Sequence, residues 1–361
     1  ANTSTSTGER LHQAEMPRFG LGVYLMGEPG ECKSSVLYAL EQGYRLIDTA
    51  MAYGNEDEVG QAIRESGIPR EDIFVVTKLR QPHANSHEET LQRCQQSLEN
   101  LGLEYMDLYL VHAPPKDLNV RAPVWQGMEE CLSNGWTRSI GVSNYGAHHL
   151  DAMVSYATVM PSVNQIEINP WLQRPALRAA TEVIGAKVMA SSPLARGHKL
   201  TDPGISKIAA SLGCTPAQAA IKWCFDVGAI TIPKSSKSNR IAENLDSLEF
   251  DLAGTEEEFA ALEASPKGFS VAGRAAVLHL GPPRWNLRRE LRIIRRLPRG
   301  GWLGRRGGYW RRRAGQERRR RRGGRRRALP SAASRWSPVK RRMPRPRPSR
   351  AERRGGGIPS G

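Results

Sequence analysis

Four side chains in this sequence, Asp48, Tyr53, Lys78 and His112, could together orient and protonate the oxygen of a carbonyl group that a hydride donor reduces. Hydride arriving at a carbonyl carbon leaves charge on the oxygen, so a proton donor must stand beside it. A free tyrosine, with a pKa of about 10, is a weak acid at neutral pH. A nearby ammonium favours the phenolate and lowers that pKa, and a carboxylate holds the ammonium in place. Tyr53 is then the donor, Lys78 tunes it, Asp48 positions Lys78 and His112 orients the carbonyl oxygen. Singly, each has an ordinary reading: a strand-end turn residue, a packed loop aromatic, a surface lysine, a strand-end histidine. Their joint occurrence at successive strand ends points to chemistry.

The elements that must bring them together are legible as eight short apolar runs. "FGLGVY", "YRLIDTA", "IFVVTKL", "MDLYLVH", "RSIGVSN", "SVNQIEI", "AKVMASS" and "AITIPKS" read as buried parallel strands. Longer amphipathic stretches separate them, such as "SHEETLQRCQQSLENLG", with Leu91, Cys94, Leu98 and Leu101 expected on its buried face. Eight strands alternating with helices over about 250 residues imply an α/β fold of the (β/α)8, or TIM, barrel type rather than a doubly wound open sheet. Asp48, Lys78, His112, Asn144, Gln165, Ser191 and Lys234 each fall at or near the C-terminal end of a run. In a barrel those ends converge on one face, where active sites are built.

The runs also carry a resemblance. "RLIDTAMAYGNEDEVGQAI", "FVVTKL", "DLYLVHAP", "GVSN", "NQIEINP", "SPLARG" and "IPKSSKSNRIAENL" resemble, in order and spacing, the aldo-keto reductase superfamily over roughly residues 10–269. The resemblance implies that Asp48, Tyr53, Lys78 and His112 are the catalytic set, with Tyr53 as proton donor, and that the cofactor is NADPH. It places Ser143, Asn144 and Gln165 on the nicotinamide carboxamide and Leu194 along the pyrophosphate. Lys234, Ser235 and Arg240 fall around the adenosine 2′-phosphate, with Glu243 and Asn244 near adenine. The residues read the same way unaided: two cations and a hydroxyl at a strand-to-helix turn suit a phosphate. Three positions depart from the pattern. Ser191 replaces an aromatic that stacks on nicotinamide, Ala113 after His112 replaces a common Trp, and Tyr24 occupies another position that is often Trp. Tyr24, His112 and Ala113 are accordingly the expected substrate-pocket residues.

Charge divides the chain. Residues 271–361 hold 30 Lys+Arg against 3 Asp+Glu, whereas the first 270 hold 23 against 33, so the overall +17 describes neither part. The expected organisation is an N-terminal segment 1–17, a barrel 18–269 and an Arg/Gly/Pro-rich tail 270–361. Two readings of the tail stand. It is a disordered basic arm that binds nucleic acid or acidic lipid through phosphates, its four tryptophans stacking on bases. Alternatively it is an out-of-frame product, which the near absence of lysine favours: Lys340 is its only one. Two rival functions follow for the whole chain, a nucleic-acid binder carried by the tail and a low-turnover NADP(H)-binding regulatory subunit. The five cysteines are scattered and odd in number, which fits free thiols in a reducing compartment and neither a disulfide framework nor a zinc site. No apolar run is long enough to span a membrane. His148 and His149 are expected to be solvated, with no metal. A monomeric cytoplasmic enzyme with a small-molecule carbonyl substrate is the expectation.

Overall fold

In an inward-curving sheet, every second residue of a strand points to the barrel axis, and this parity organises the molecule. The computed structural model describes residues 16–80 and 85–263. The N-terminal segment, apart from Met16 and Pro17, lies outside the described residues. So does the Arg-rich tail, with its nucleic-acid reading and the boundary at 269/270.

Eight strands pair in parallel and in chain order: β1 (Leu21–Gly22), β2 (Leu46–Asp48), β3 (Phe74–Leu79), β4 (Leu108–Val111), β5 (Ile140–Ser143), β6 (Val163–Glu167), β7 (Lys187–Ser191) and β8 (Ile230–Thr231). The last strand returns to the first. Phe19 bridges Thr231 and Gly22 bridges Lys234, with Gly20 N donating to Thr231 O at 3.0 Å and Gly22 N to Pro233 O at 3.1 Å. The sheet is therefore a closed (β/α)8 barrel, and each of the eight apolar runs contains one strand. Its ten helices among the described residues are α1 (Glu31–Glu41), α2 (Glu56–Glu65), α3 (His87–Leu101), α4 (Arg121–Ser133), α5 (Ala147–Met153), α6 (Pro175–Val183), α7 (Pro203–Leu212), α8 (Pro216–Asp226), α9 (Ser238–Asp246) and α10 (Glu256–Glu263).

The barrel interior is filled by Leu46, Phe74, Val76, Leu108, Leu110, Val163, Met189, Ile230 and Ile232, with Met16 packed against them. Burial of each such side chain contributes roughly 1.5–3 kcal/mol, so this layer is a firm floor. Two residues beyond Leu46, Val76, Leu110, Val163, Met189 and Ile232 come Asp48, Lys78, His112, Gln165, Ser191 and Lys234. A step of two keeps the same face, so the polar set forms the next layer of the same interior, at the C-terminal mouth. The opposite parity packs outward against the helices in a second core that includes Ile47, Val75, Tyr109 and Val142. Gly20 is needed where the barrel closes: a Cβ there would lie 2.2 Å from Leu46 Cδ2 and 2.6 Å from Leu46 O.

Helix α3 shows where pattern and packing part. Ser86 caps it, its hydroxyl accepting from Glu89 N at 3.1 Å, and Gly102 ends it at φ 60°. The buried face is Thr90, Cys94, Ser97 and Leu101, while the expected Leu91 and Leu98 are only half-buried. The helix is turned by about one residue because α4 presents Gly127 to Thr90. A Cβ at Gly127 would come 2.7 Å from Thr90 Cβ, so the two helices approach through small side chains.

Candidate active site

Lys78 is the centre of the mouth layer. It is fully buried, and a buried ammonium is tolerable only with close partners. Its Nζ donates to Asp48 Oδ1 at 2.7 Å, to the Thr49 carbonyl at 2.8 Å and to Tyr53 OH at 3.3 Å. Tyr53 reaches this point from a short 3-10 turn, Met51–Tyr53, closed by Gly54 at φ 70°. The Tyr53 ring meets His112 edge-on with centroids 5.7 Å apart, and Tyr24 with centroids 4.9 Å apart. Asp48, Tyr53, Lys78 and His112 are thus brought together.

Electrostatics in this group follow from burial. Burial alone would lower the Lys78 pKa, but Asp48 and Tyr53 together hold it above its ordinary value, so Lys78 is an ammonium. Burial pushes the Tyr53 phenol up, and the opposing pull of Lys78 does not cancel it. The expected lowering of the Tyr53 pKa is therefore reversed in the free protein, because desolvating a phenolate costs more than one ammonium restores. His112 is pushed down to about 3, by burial first and then by the Lys78 charge, so it is a neutral imidazole.

Asp48 has a second anchor that the sequence did not reveal. Its Oδ2 accepts from Gln165 Nε2 at 2.7 Å, so the carboxylate is held from both sides, and the same amide lies 2.9 Å from Met189 Sδ. Two further residues support the group. Asn55 accepts from Thr49 Oγ1 at 2.8 Å and donates to the Val23 and Met26 carbonyls, tying the β1 loop that carries Tyr24 to the β2 loop that carries Tyr53. Asn55 lies inside the quoted motif, but only its contacts give it a role.

A cavity of about 1210 Å³ opens over these residues, which is ample for a dinucleotide and a small substrate. Its wall carries Tyr24, Asp48, Tyr53, His112, Ser143, Asn144, Gln165, Ser191, Leu194, Lys234, Ser235, Arg240, Glu243 and Asn244. Lys78 sits behind that wall, and Ala113, half-buried, is not on it. Ser143 and Asn144 are held at the end of β5, where Asn144 takes φ 60° and its Nδ2 donates to the His112 carbonyl at 2.9 Å. Glu243 Oε1 accepts from Thr215 Oγ1 at 2.7 Å. Lys237, Ser236 and Arg196, which the sequence argument left unassigned, also line the cavity. His148 is exposed, as expected of both histidines, but His149 is not free in solvent. Its Nδ1 accepts from Gly146 N at 3.0 Å and its ring packs against Tyr145.

The far end of the cavity is built for an anion and a heterocycle. Lys234, Lys237 and Arg240 are exposed, and none has a carboxylate within 4.0 Å among the described residues. Asn244 Nδ2 is buried without a hydrogen-bond partner. A buried amide donor left unmade is costly, and an orphan on the wall of an open cavity is met by a ligand acceptor. Three unpaired cations, a hydroxyl and an orphaned amide fit a phosphorylated nucleoside.

Comparison with known proteins gives the family. A family model described as "Aldo/keto reductase family" matches residues 27–266. An aldo-keto reductase of Mycolicibacterium vanbaalenii is 44% identical over 255 residues, 70% of this chain and 89% of that protein. A glyoxal reductase of Bacillus subtilis is 40% identical over 252 residues, 70% of this chain and 90% of its own. The crystal structure of a Bombyx mori aldo-keto reductase in complex with NADP superimposes with a TM-score of 0.63 at 35% identity, covering 69% of this chain and 88% of that one. This chain belongs to the aldo/keto reductase family, and it is an oxidoreductase of carbonyl and alcohol groups that uses NADP(H).

Proposed function

We propose that this protein reduces an aldehyde or ketone to the alcohol with Tyr53 as the proton donor. The observation that carries the reading is the buried Lys78 ammonium behind the cavity wall, 2.7 Å from Asp48 and 3.3 Å from the Tyr53 hydroxyl. The hydride would come from NADPH held along the cavity wall, which would leave as NADP+. Tyr53 gives its proton to the carbonyl oxygen as charge develops there. Lys78 lies close enough to stabilise the phenolate so formed, and Asp48, gripped by Gln165, keeps Lys78 in place. His112, neutral, donates a hydrogen bond that orients the oxygen without adding a second charge beside Lys78.

The same reading assigns the cofactor contacts. Ser143, Asn144 and Gln165 would hold the carboxamide, Leu194 the pyrophosphate, and Glu243 and Asn244 the adenine. Lys234, Ser235 and Arg240, now joined by Lys237, hold a 2′-phosphate and favour NADPH over NADH. Tyr24 borders the substrate. Ser191 leaves one face of the nicotinamide site without an aromatic. Substrate preference rests on this chain's own pocket. Five free cysteines suit a reducing compartment, and a monomer acting there is part of the proposal. Among the described residues no helix is long and apolar enough to cross a membrane.

Substitution of Tyr53 by Phe tests the proposal. Reduction of an aldehyde panel should fall by roughly 10²–10⁴-fold, the usual worth of a positioned acid. NADPH binding, read by quenching of tryptophan fluorescence, should persist. A Tyr53→Phe enzyme with turnover near wild type would remove Tyr53 from the chemistry.

A further inference from the structure

We propose that Asn55 is a positioning residue for substrate choice: its side-chain amide sets where Tyr24 stands relative to the proton donor. The inference rests on the reductase reading and adds to it the control of which carbonyl compounds fit. Asn55 lies two residues beyond Tyr53, just before α2, and is 4% exposed. It does not line the cavity. An asparagine amide has one oxygen acceptor and two N–H donors, and here each is engaged. Oδ1 accepts from Thr49 Oγ1 at 2.8 Å, while Nδ2 donates to the Val23 carbonyl at 3.0 Å and the Met26 carbonyl at 3.1 Å. Val23, Thr49 and Met26 are themselves buried, so solvent is no substitute partner.

Those two carbonyls belong to the two ends of one tight turn. Met26 N donates to Val23 O at 3.3 Å, and Leu25 between them takes φ 59°, a left-handed conformation that costs a non-glycine residue free energy. The tip of the turn is Tyr24 and Leu25, 40% and 65% exposed, and both line the cavity. The sheet holds the first end, where Val23 N donates to Asp48 O at 3.0 Å. Asn55 ties the second end to the first. The other side of the same amide grips Thr49, whose carbonyl accepts from Lys78 Nζ at 2.8 Å. One planar side chain thus spans the turn that presents Tyr24 and the support of Lys78. What the span fixes is the ring contact between Tyr24 and Tyr53, with centroids 4.9 Å apart. A carbonyl compound with a ring meets Tyr24 when its oxygen is at Tyr53, so the spacing of the two tyrosines discriminates among such compounds. A short aliphatic aldehyde has no ring to lay there.

The test is a double-mutant cycle read as substrate selectivity. Steady-state kinetics on the full chain give kcat/KM for benzaldehyde and for propanal, and the KM for NADPH is measured alongside. In Asn55→Ala the benzaldehyde-over-propanal ratio should fall by about three- to tenfold, the worth of one aromatic ring contact, with the KM for NADPH near its wild-type value. Asn55→Asp keeps the size and the acceptor for Thr49 but loses both donors. Its ratio should fall likewise, and it covers the case in which the Ala variant does not fold. Tyr24→Ala should lower the ratio by at least as much. In the Tyr24→Ala background, Asn55→Ala should then leave the ratio where it is, because residues that act through one contact are not additive. A purely structural role for Asn55 would lower both substrates in proportion. A ratio unchanged in the Asn55 variants therefore overturns the inference, as does one unchanged in Tyr24→Ala. So does an Asn55 effect of the same size with and without Tyr24. Turnover of either aldehyde by the wild type keeps the reductase reading standing in each of these cases; no turnover of either compound overturns both.

Discussion

At the scale of single residues, the site separates its charges by position. Around Tyr53 there is one cation, Lys78, already neutralised by Asp48, and a histidine that burial keeps uncharged. At the other end Lys234, Lys237 and Arg240 are exposed and unpaired among the described residues. The first arrangement can hold and give a proton, and the second can hold a phosphate. Hydrogen bonds between charged partners contribute roughly 1.5–3 kcal/mol each. Lys234→Ala or Arg240→Ala should therefore raise the KM for NADPH by about 10- to 100-fold. The KM for NADH, which lacks the 2′-phosphate, should change by a few-fold at most. Initial-rate measurements with both cofactors decide it, and equal effects on the two would detach these cations from the phosphate. Lys237 tempers the size of each single effect, because two cations remain after either substitution.

At the scale of elements, the acid–base group depends on how α2 is seated. Glu56 opens α2 and its buried carboxylate accepts from Thr77 Oγ1 at 2.6 Å and Asn100 Nδ2 at 2.9 Å, linking the helix to β3 and α3. Thr77 precedes Lys78 on β3, and Asn55 precedes Glu56, so this joint fixes the loop of Tyr53 against the strand of Lys78. One turn along, Gly60 meets the end of α3 so closely that a Cβ would lie 1.7 Å from the Leu101 carbonyl oxygen. Gly to Ala in an open helix gains about 1 kcal/mol. Here the obstacle is backbone, and overpacking costs typically 1–3 kcal/mol, occasionally more. Gly60→Ala should thus be net destabilising by up to about 2 kcal/mol, lowering the urea midpoint; a raised midpoint would show that α2 and α3 slide apart freely. The strands were legible in the sequence because each inner-barrel strand is a short apolar run that ends in a polar residue of the same parity. Asp48, Lys78, His112 and Gln165 could be named because each falls at the C-terminal end of its run, whereas the parity that turns them inward shows only in the barrel. The face of α3 was misjudged by about one residue, since the choice between Leu98 and Ser97 belongs to the neighbour and its Gly127. The Gln165–Asp48 bond joins positions 117 apart in sequence, and no local pattern encodes which way an amide turns.

At the scale of the whole molecule, two histidines make stability depend on pH. His149 was expected to be solvated, yet burial, followed by the charges of His148 and Arg121, lowers its pKa to about 4, and its Nδ1 is committed to accepting from Gly146 N. His112 is lowered to about 3. An unfolded histidine titrates near 6.5. Between that value and the folded one, the unfolded chain binds a proton that the folded chain refuses, so stability rises with pH. Above pH 7 both groups are neutral in both states and contribute no slope. As pH falls below about 6.5, each removes up to roughly 1.4 kcal/mol per pH unit, until the folded pKa is reached. Glu56 acts in the opposite sense: its pKa is raised by burial, so the folded state takes up a proton more readily there and partly offsets the loss. The clean measurement is a difference between two chains, in which the other titrations cancel. The wild type should lose more stability than His149→Gln on going from pH 7.5 to 5.0, by roughly 2 kcal/mol, in urea unfolding at constant ionic strength. Gln keeps an acceptor for the Gly146 amide, so the two proteins should differ little at pH 7.5. Parallel pH dependence of the two would mean that the His149 ring accepts its proton in the folded state, and that the turn before α5 opens to solvent.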